Sequence, residues 1–283
     1  MNKLNLLIVG HGFVGQAVDY GFSGPNVYKT IVDPKYPDGP KLEELSLGWY
    51  DLIFVCVPTP FGSDGRIDSS ILDRVMKTLR GGATIHDNTI AIKSTVTPDV
   101  LAKFTHHGVV YNPEFLTEKS ANEQFINPQF HVFGGMPEDV ERLNRYYEKY
   151  SLCNPCPVYK MGMKEASMVK YTINSFLAMK VTFFNQMYDL ARSNGIDFNA
   201  VIKTVGEDSR IGHSHTKVPG FDGKQGFGGA CFPKDVAALI KYSDESLTLL
   251  QQALIINNSY RAQYERDERE VAQNITYTQK DPV

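Results

Sequence analysis

No stretch of the 283-residue chain approaches the roughly 20 consecutive apolar residues that cross a bilayer, so no membrane span is expected. An excess of one charge is also missing. The 29 Lys and Arg against 32 Asp and Glu leave a formal net charge of -3, which gives no reason to expect nucleic acid or an anionic membrane as partner. Cysteine is scarce: Cys56, Cys153, Cys156 and Cys231 are the whole set. That density suits a reducing compartment, and a cytoplasmic location is expected. Cys153 and Cys156 make one C-x-x-C. With no second pair and no histidine nearby, no metal site is expected, and the pair reads as incidental in a Pro-rich loop in preference to a redox couple. A cleavage site is missing as well: the apolar run Leu4 to Val9 passes straight into glycines, so it reads as a strand and not as a signal peptide. What is present is a hydrophobic content of 42% and a charged content of 22%, enough for one large or two ordinary soluble domains.

The first half alternates strands with helices. Leu4 to Val9 is continuously apolar, as in a strand buried on both faces. Gly10-His11-Gly12-Phe13-Val14-Gly15 follows, then a helix over Gln16 to Phe22. This is G-x-G-x-x-G between strand and helix: Gly10 permits the turn, Gly12 lets a pyrophosphate approach, Gly15 lets helix and strand pack, and the helix N-terminus faces the phosphates. A second strand, Val27 to Val32, ends at Asp33, where an acid suits the ribose hydroxyls and disfavours the 2'-phosphate of NADP. NAD is therefore expected, although Lys35 argues the other way and Asp33 has an alternative as a turn or cap residue. Leu52 to Val57 is a strand leading into Pro58-Thr59-Pro60, an extended exit over the strand end. Further strands are read over Thr89 to Lys93, ending at Ser94-Thr95; over Val109 to Tyr111, ending in Asn112-Pro113-Glu114; and over Gln129 to Phe133. Helices are read from Asp68, Thr97 and Pro137. The alternation implies a doubly wound parallel Rossmann-like sheet over residues 1–160, with ligands at the strand ends. Glu114 is a candidate general base, or else a surface acid in a loop.

From about Met163 the spacing becomes helical, and an all-helical central and dimerisation domain is expected over residues 161–270. Lys170 and Asn174 lie four apart on one helix face. They suit an oxyanion or a sugar hydroxyl; a snorkelling lysine with a solvated amide is the alternative. A helix capped by Asp197 runs to Gly206, and a long polar loop follows from Asp208 to Gly229. It carries His213 and His215, which without a third ligand do not make a metal site. A long helix is read from Glu245, and its apolar side is expected to join two chains. The charged run Glu265 to Glu270 reads as a solvated face or fraying end, and a loose tail closes the chain at 271–283.

The long loop ends in Gly226-Phe227-Gly228-Gly229-Ala230-Cys231-Phe232-Pro233-Lys234-Asp235. Pro233 marks a first helical turn, so Cys231 falls at a helix N-terminus beside Lys234, where helix dipole and cation favour a thiolate. A nucleophilic cysteine and a structural cysteine in a Gly-rich turn both fit these ten residues.

Taken in order, Gly10 to Gly15, Val57 to Pro60, Lys93 to Val96, Asn112 to Leu116, Lys170 to Asn174, Asp208 to Gly212 and Gly228 to Asp235 resemble the UDP-glucose/GDP-mannose dehydrogenase family, over about residues 4 to 260. The resemblance implies oxidation of a nucleotide-sugar C6 alcohol to a carboxylate with two NAD, UDP-glucose being the expected substrate. It implies Cys231 as nucleophile, Lys170 and Asn174 steadying the oxyanion, Glu114 and Asp235 handling protons and the hydrolytic water, and Thr95 positioning that water. NAD contacts would come from Gly10, Gly12, Phe13, Val14, Gly15, Asp33, Lys35, Pro58, Thr59, Ser94, Thr95, Glu118 and Lys234. Phe115, Leu116, Lys170, Asn174, Lys217, Phe227, Gly228 and Cys231 would line the sugar nucleotide, with Arg210 reaching a partner subunit's site. A homodimer is expected. The family pattern continues into a second α/β domain, whereas this sequence ends about fifty residues past Cys231, so that domain is expected to be absent. Two other readings are a non-catalytic NAD-binding protein or half of a two-chain enzyme, and a β-hydroxyacid dehydrogenase, which uses a similar Lys-x-x-x-Asn pair without the cysteine.

Overall fold

A computed structural model describes residues 3–62, 64–81 and 88–278. The chain divides into two compact units, residues 1–59 with 68–170, and residues 60–67 with 171–283. The division at residue 170 falls inside a helix.

The first unit is built on seven strands. Its elements are β1 (Leu4–Val9), α1 (Phe13–Gly21), β2 (Val27–Val32), β3 (Leu52–Val55), α2 (Ser70–Gly81), β4 (Thr89–Ile92), α3 (Pro98–Ala102), β5 (Val109–Tyr111), α4 (Ala121–Ile126), β6 (His131–Gly135), α5 (Pro137–Tyr150) and β7 (Val158–Met161). The sheet order is β2-β1-β3-β4-β5-β6-β7. Chain order reverses between β1 and β3, the place where open α/β sheets leave a crevice at their carboxyl ends. Ile8 lies beside Ile31 on one side and Phe54 on the other. Leu6, Ile8, Phe22, Phe54, Phe133 and Tyr147 form the heart of the core. Within it Phe22 and Tyr147 meet edge to face, with ring centroids 5.3 Å apart.

Two features differ from the expected all-parallel sheet. β6 runs antiparallel to β5, with Val110 opposite Gly135 and Tyr111 opposite Gly134. The connection between these strands carries the six-residue helix α4 (Ala121–Ile126). The seventh strand, Val158–Met161, adds parallel to β6 and carries no buried alternation that would announce it: two of its four residues are exposed.

The long helix α6 (Met163–Ser193) leads into the second unit, which holds α7 (Phe198–Val205), α8 (Phe232–Tyr242), α9 (Thr248–Arg261) and α10 (Glu268–Ala272). Asp197 caps α7 by accepting from the Asn199 N–H at 3.0 Å. α9 starts at Thr248 and not at Glu245, because Asp244 and Glu245 both take left-handed backbone that breaks a helix. Of its apolar residues, Leu250 and Ala253 are buried within the chain, together with Asn257 and Arg261, while Leu249 is 73% exposed. The expected fraying end and loose tail are also corrected. Asp267 and Glu270 close a reciprocal capping box at the start of α10, Glu270 is fully buried, and Ile275 is 3% exposed. The expected tail's last residues, 279–283, lie outside the described residues.

Candidate active site

In the first unit the G-x-G-x-x-G loop is shaped by close backbone approach. Gly10 is left-handed (φ +90), and a Cβ there would lie 2.5 Å from the Cys56 carbonyl oxygen. A Cβ at Gly15 would lie 2.1 Å from the Gly10 oxygen, while one at Gly12 would meet nothing within 4 Å. The loop is thus packed on its inner side and open at Gly12. Gly12 is the N-cap of α1 and has no side chain to satisfy the first-turn N–H groups, which suits a pyrophosphate. Asp33 works on the loop itself. It accepts from the His11 N–H at 2.5 Å and the Lys35 N–H at 2.9 Å, and the Lys35 ammonium donates to the His11 carbonyl. His11, given no role in the sequence reading, is buried and bonds Tyr36 at 2.8 Å. These residues fit a dinucleotide.

The strand ends are tied together. Thr59 donates to the Thr95 carbonyl at 2.8 Å, and Ser94 donates to the Val57 carbonyl at 2.6 Å. Both hydroxyl protons therefore hold the exits of β3 and β4 in register. Pro58 and Glu118 are exposed, and Phe13, Val14, Thr95, Phe115 and Leu116 are half-buried. Glu114 is buried: one carboxylate oxygen accepts the Leu116 N–H at 2.6 Å, and the other accepts the Lys170 ammonium at 2.9 Å. Lys170, 3% exposed, also donates to the Glu114 carbonyl at 2.6 Å. A cavity of about 240 Å³ opens beside this acid, lined among others by Lys93, Asn112, Phe115, His131 and Tyr147. Burial pushes the Lys93 ammonium down to about 8, although Cys56 and Glu114 favour its charge. Burial, helped by Lys93, pushes His131 down to about 4. Burial pushes the Cys56 thiol up to about 12.

In the second unit Cys231 is the half-buried N-cap of α8, and its carbonyl accepts the first helical bond from the Asp235 N–H at 2.9 Å. Asp235, 1% exposed, accepts from Asn174 at 2.7 Å on one oxygen and from Lys234 at 2.6 Å on the other. Lys170 and Asn174 lie one turn apart on α6, yet each is engaged with an acid of its own, Glu114 and Asp235. Lys234, expected on NAD, is buried against Asp235.

The loop before the thiol is held by side chains that sequence reasoning missed. Asn185 of α6 accepts from the Gly226 N–H at 3.0 Å. Asn257 of α9 accepts from the Phe227 N–H at 2.6 Å and donates to the Phe227 carbonyl at 3.0 Å. Glu270 of α10 accepts from the Gly229 N–H at 3.0 Å. All three lie 30 or 41 residues from their partners, beyond any local pattern. Phe227 is buried and Gly228 half-buried. Arg210 is 88% exposed and forks onto Asp208, and Lys217 is exposed over the Phe221 ring. All four cysteines are free thiols.

A Rossmann-like sheet with a glycine cradle, followed by helices that set a thiol at a helix N-cap, defines a dinucleotide-binding chain of the dehydrogenase type. Two family profiles match it: the UDP-glucose/GDP-mannose dehydrogenase NAD binding domain over residues 43–151 and the central domain of the same family over residues 164–259. The chain belongs to the UDP-glucose/GDP-mannose dehydrogenase family, and its cofactor is NAD. It is 28% identical to the UDP-glucose 6-dehydrogenase YwqF of Bacillus subtilis, over 92% of this chain and 67% of that one. It is 34% identical to the UDP-glucose 6-dehydrogenase of Pseudomonas aeruginosa, over 69% of this chain and 45% of that one. A solved UDP-glucose dehydrogenase from the archaeon Pyrobaculum islandicum superposes with a TM-score of 0.77 at 28% identity, over 91% of this chain and 68% of that one. The matches thus span between about half and two thirds of these relatives. Among the described residues no helix is long and apolar enough to cross a membrane.

Proposed function

We propose that the chain oxidises the C6 alcohol of a nucleotide sugar to a carboxylate, UDP-glucose being the first substrate to test, in two steps that each pass a hydride to NAD. The observation that carries the reading is Cys231, a half-buried thiol at the N-cap of an 11-residue helix, one turn before a buried aspartate fixed by Asn174 and Lys234. When bound, NAD supplies the hydride acceptor for each step. Loss of hydride from C6 and of the hydroxyl proton to a base gives the aldehyde. The Cys231 sulfur adds to that carbonyl carbon, and the oxygen takes a proton, giving a thiohemiacetal. That carbon still bears a hydrogen, so a second hydride can leave as the oxygen gives up its proton, giving a thioester. Water then adds to the thioester; the carboxylate leaves and the thiol is restored. Glu114 and Asp235 are the proposed proton carriers, with Thr95 orienting water, and Lys170 and Asn174 the donors for the oxyanions. Lys170 is held for that work by its contact with the Glu114 carboxylate.

NADH release with UDP- and GDP-sugars tests the reading. Two NADH per sugar supports it. One NADH with a ketone product favours β-hydroxyacid oxidation, and NAD binding without turnover favours a non-catalytic role. Cys231→Ser is expected to abolish net acid formation; full activity in that variant contradicts the covalent route. A homodimer is proposed, with the exposed ridge of α6 as a second candidate face beside the expected α9. Phe176, Phe183 and Leu190 recur at heptad spacing on α6 and are 59%, 56% and 53% exposed.

A further inference from the structure

The charged segment after α9 folds back onto the loop that carries the thiol. Glu270, 0% exposed, puts most of its hydrogen-bonding onto one oxygen: Oε1 accepts from the Gly229 N–H at 3.0 Å, from Arg261 Nη2 at 2.6 Å and from the Tyr277 hydroxyl at 2.7 Å. Its other oxygen accepts the Asp267 N–H at 3.0 Å, which fixes the carboxylate in the capping box of α10. Arg261, 1% exposed, is held in turn by Asp222 at 2.6 Å. This pair occupies the space that a side chain at 228 would need. A Cβ there would lie 2.3 Å from Arg261 Nη2 and 2.5 Å from Glu270 Oε1. A buried ion pair is costly to desolvate and is a poor device for stability alone. Here its acid has a second task, holding the peptide two residues before Cys231.

We infer that Glu270, backed by Arg261, is a positioning residue for Cys231: it fixes the Gly228-Gly229 backbone and thereby the direction from which the thiol meets a carbonyl carbon. Asn185 and Asn257 fix the start of the loop at Gly226 and Phe227, and Glu270 fixes its end. The catalytic consequence rests on the proposed thiol chemistry; the clamp itself does not.

The test uses the full chain and iodoacetamide, with alkylation of each cysteine followed by peptide mass spectrometry. Cys56, Cys153 and Cys156 belong to the first unit, and burial raises all three thiols, so they report loosening of that unit. In Glu270→Gln, alkylation of Cys231 is expected to rise about fivefold while the other three keep their rates. Glu270→Asp, which keeps the charge, should return Cys231 to within about twofold of the unsubstituted protein. Turnover by Glu270→Gln should fall about tenfold in kcat with KM little changed, the mark of lost transition-state geometry. Equal acceleration at all four cysteines, or none at Cys231 in a folded variant, overturns the inference. Where the variants do not fold, amide exchange in the unsubstituted protein decides. Gly229 should exchange at least about a hundredfold more slowly than in an unstructured peptide, and exchange at the unstructured rate overturns the clamp. A chain that turns over no nucleotide sugar yet shows the Cys231-selective change overturns the proposed reaction and supports the clamp.

Discussion

At the residue scale, space and donor counts decide more than residue identity. Gly15 cannot gain even a methyl group without driving it into the Gly10 carbonyl, 2.1 Å from an ideal Cβ. Gly15→Ala is expected to lower the unfolding free energy by about 1–3 kcal/mol through overpacking and to weaken NAD binding at least about tenfold. Urea unfolding and a fluorescence titration with NAD check both; unchanged binding would show that the loop tolerates the shift. The glycines were readable in the sequence because their job is local. The side chains that hold the thiol loop were not. Asn257 looks like an ordinary helix residue in sequence, yet it is fully buried and bonds both the N–H and the carbonyl of Phe227. Lys170 and Asn174 were readable as a pair through their helical spacing, whereas their separate engagement with Glu114 and Asp235 depends on a loop 56 residues away and on the first turn of α8, 61 residues away.

At the element scale, strands with continuous apolar runs and helices with proline or aspartate starts were legible. β7 was not, because a short strand with two exposed residues lacks the pattern of a buried one. The reversal of β6 was not, because a strand's own residues do not tell in which direction it runs beside its neighbour. α10 was hidden by its charge: Glu265 to Glu270 reads as solvated until the capping box and the Arg261 pair are seen. Replacing Asn257 by Leu should detach α9 from the thiol loop. It leaves the Phe227 N–H and carbonyl without their partner, at a cost of about 2–4 kcal/mol, measured by urea unfolding. A loss under about 0.5 kcal/mol would mean that the loop finds other partners. The exposed ridge of α6 carries the dimer prediction. Phe183→Glu should turn a dimer into a monomer by light scattering, without lowering the unfolding midpoint of the isolated chain.

At the scale of the whole molecule, buried ionisable groups set how stability follows pH. Lys93 is pushed from 10.5 to about 8, so between those values the unfolded chain binds the proton more tightly and stability rises with pH. Cys56 is pushed from 9.0 to about 12, so above pH 9 the folded chain keeps a proton that the unfolded chain has lost, and stability falls with pH. The expected profile rises from pH 8 to 9, by at most about 1.4 kcal/mol, then flattens as the two slopes oppose. Lys93→Met should remove the rise, and a steady fall from pH 8 to 9 in the unsubstituted protein would contradict the assignment. His131, pushed to about 4, gives an acid limb: its contribution is whole above its ordinary value of 6.5 and is lost as pH falls toward 4.

The anchoring of one short loop by α6, α9 and α10 also has a meaning in time. Cys231 is synthesised after Asn185 but before Asn257 and Glu270, so at the moment it is made only the first of its three anchors exists. Contacts spanning 30 and 41 residues close late, after the local helices have formed. The sheet with its glycine cradle can fold from the earlier part of the chain, while the thiol gains its fixed orientation only when the later helices dock. A nascent or partly folded chain would then carry an ordered nucleotide-binding unit and a cysteine not yet aimed at anything.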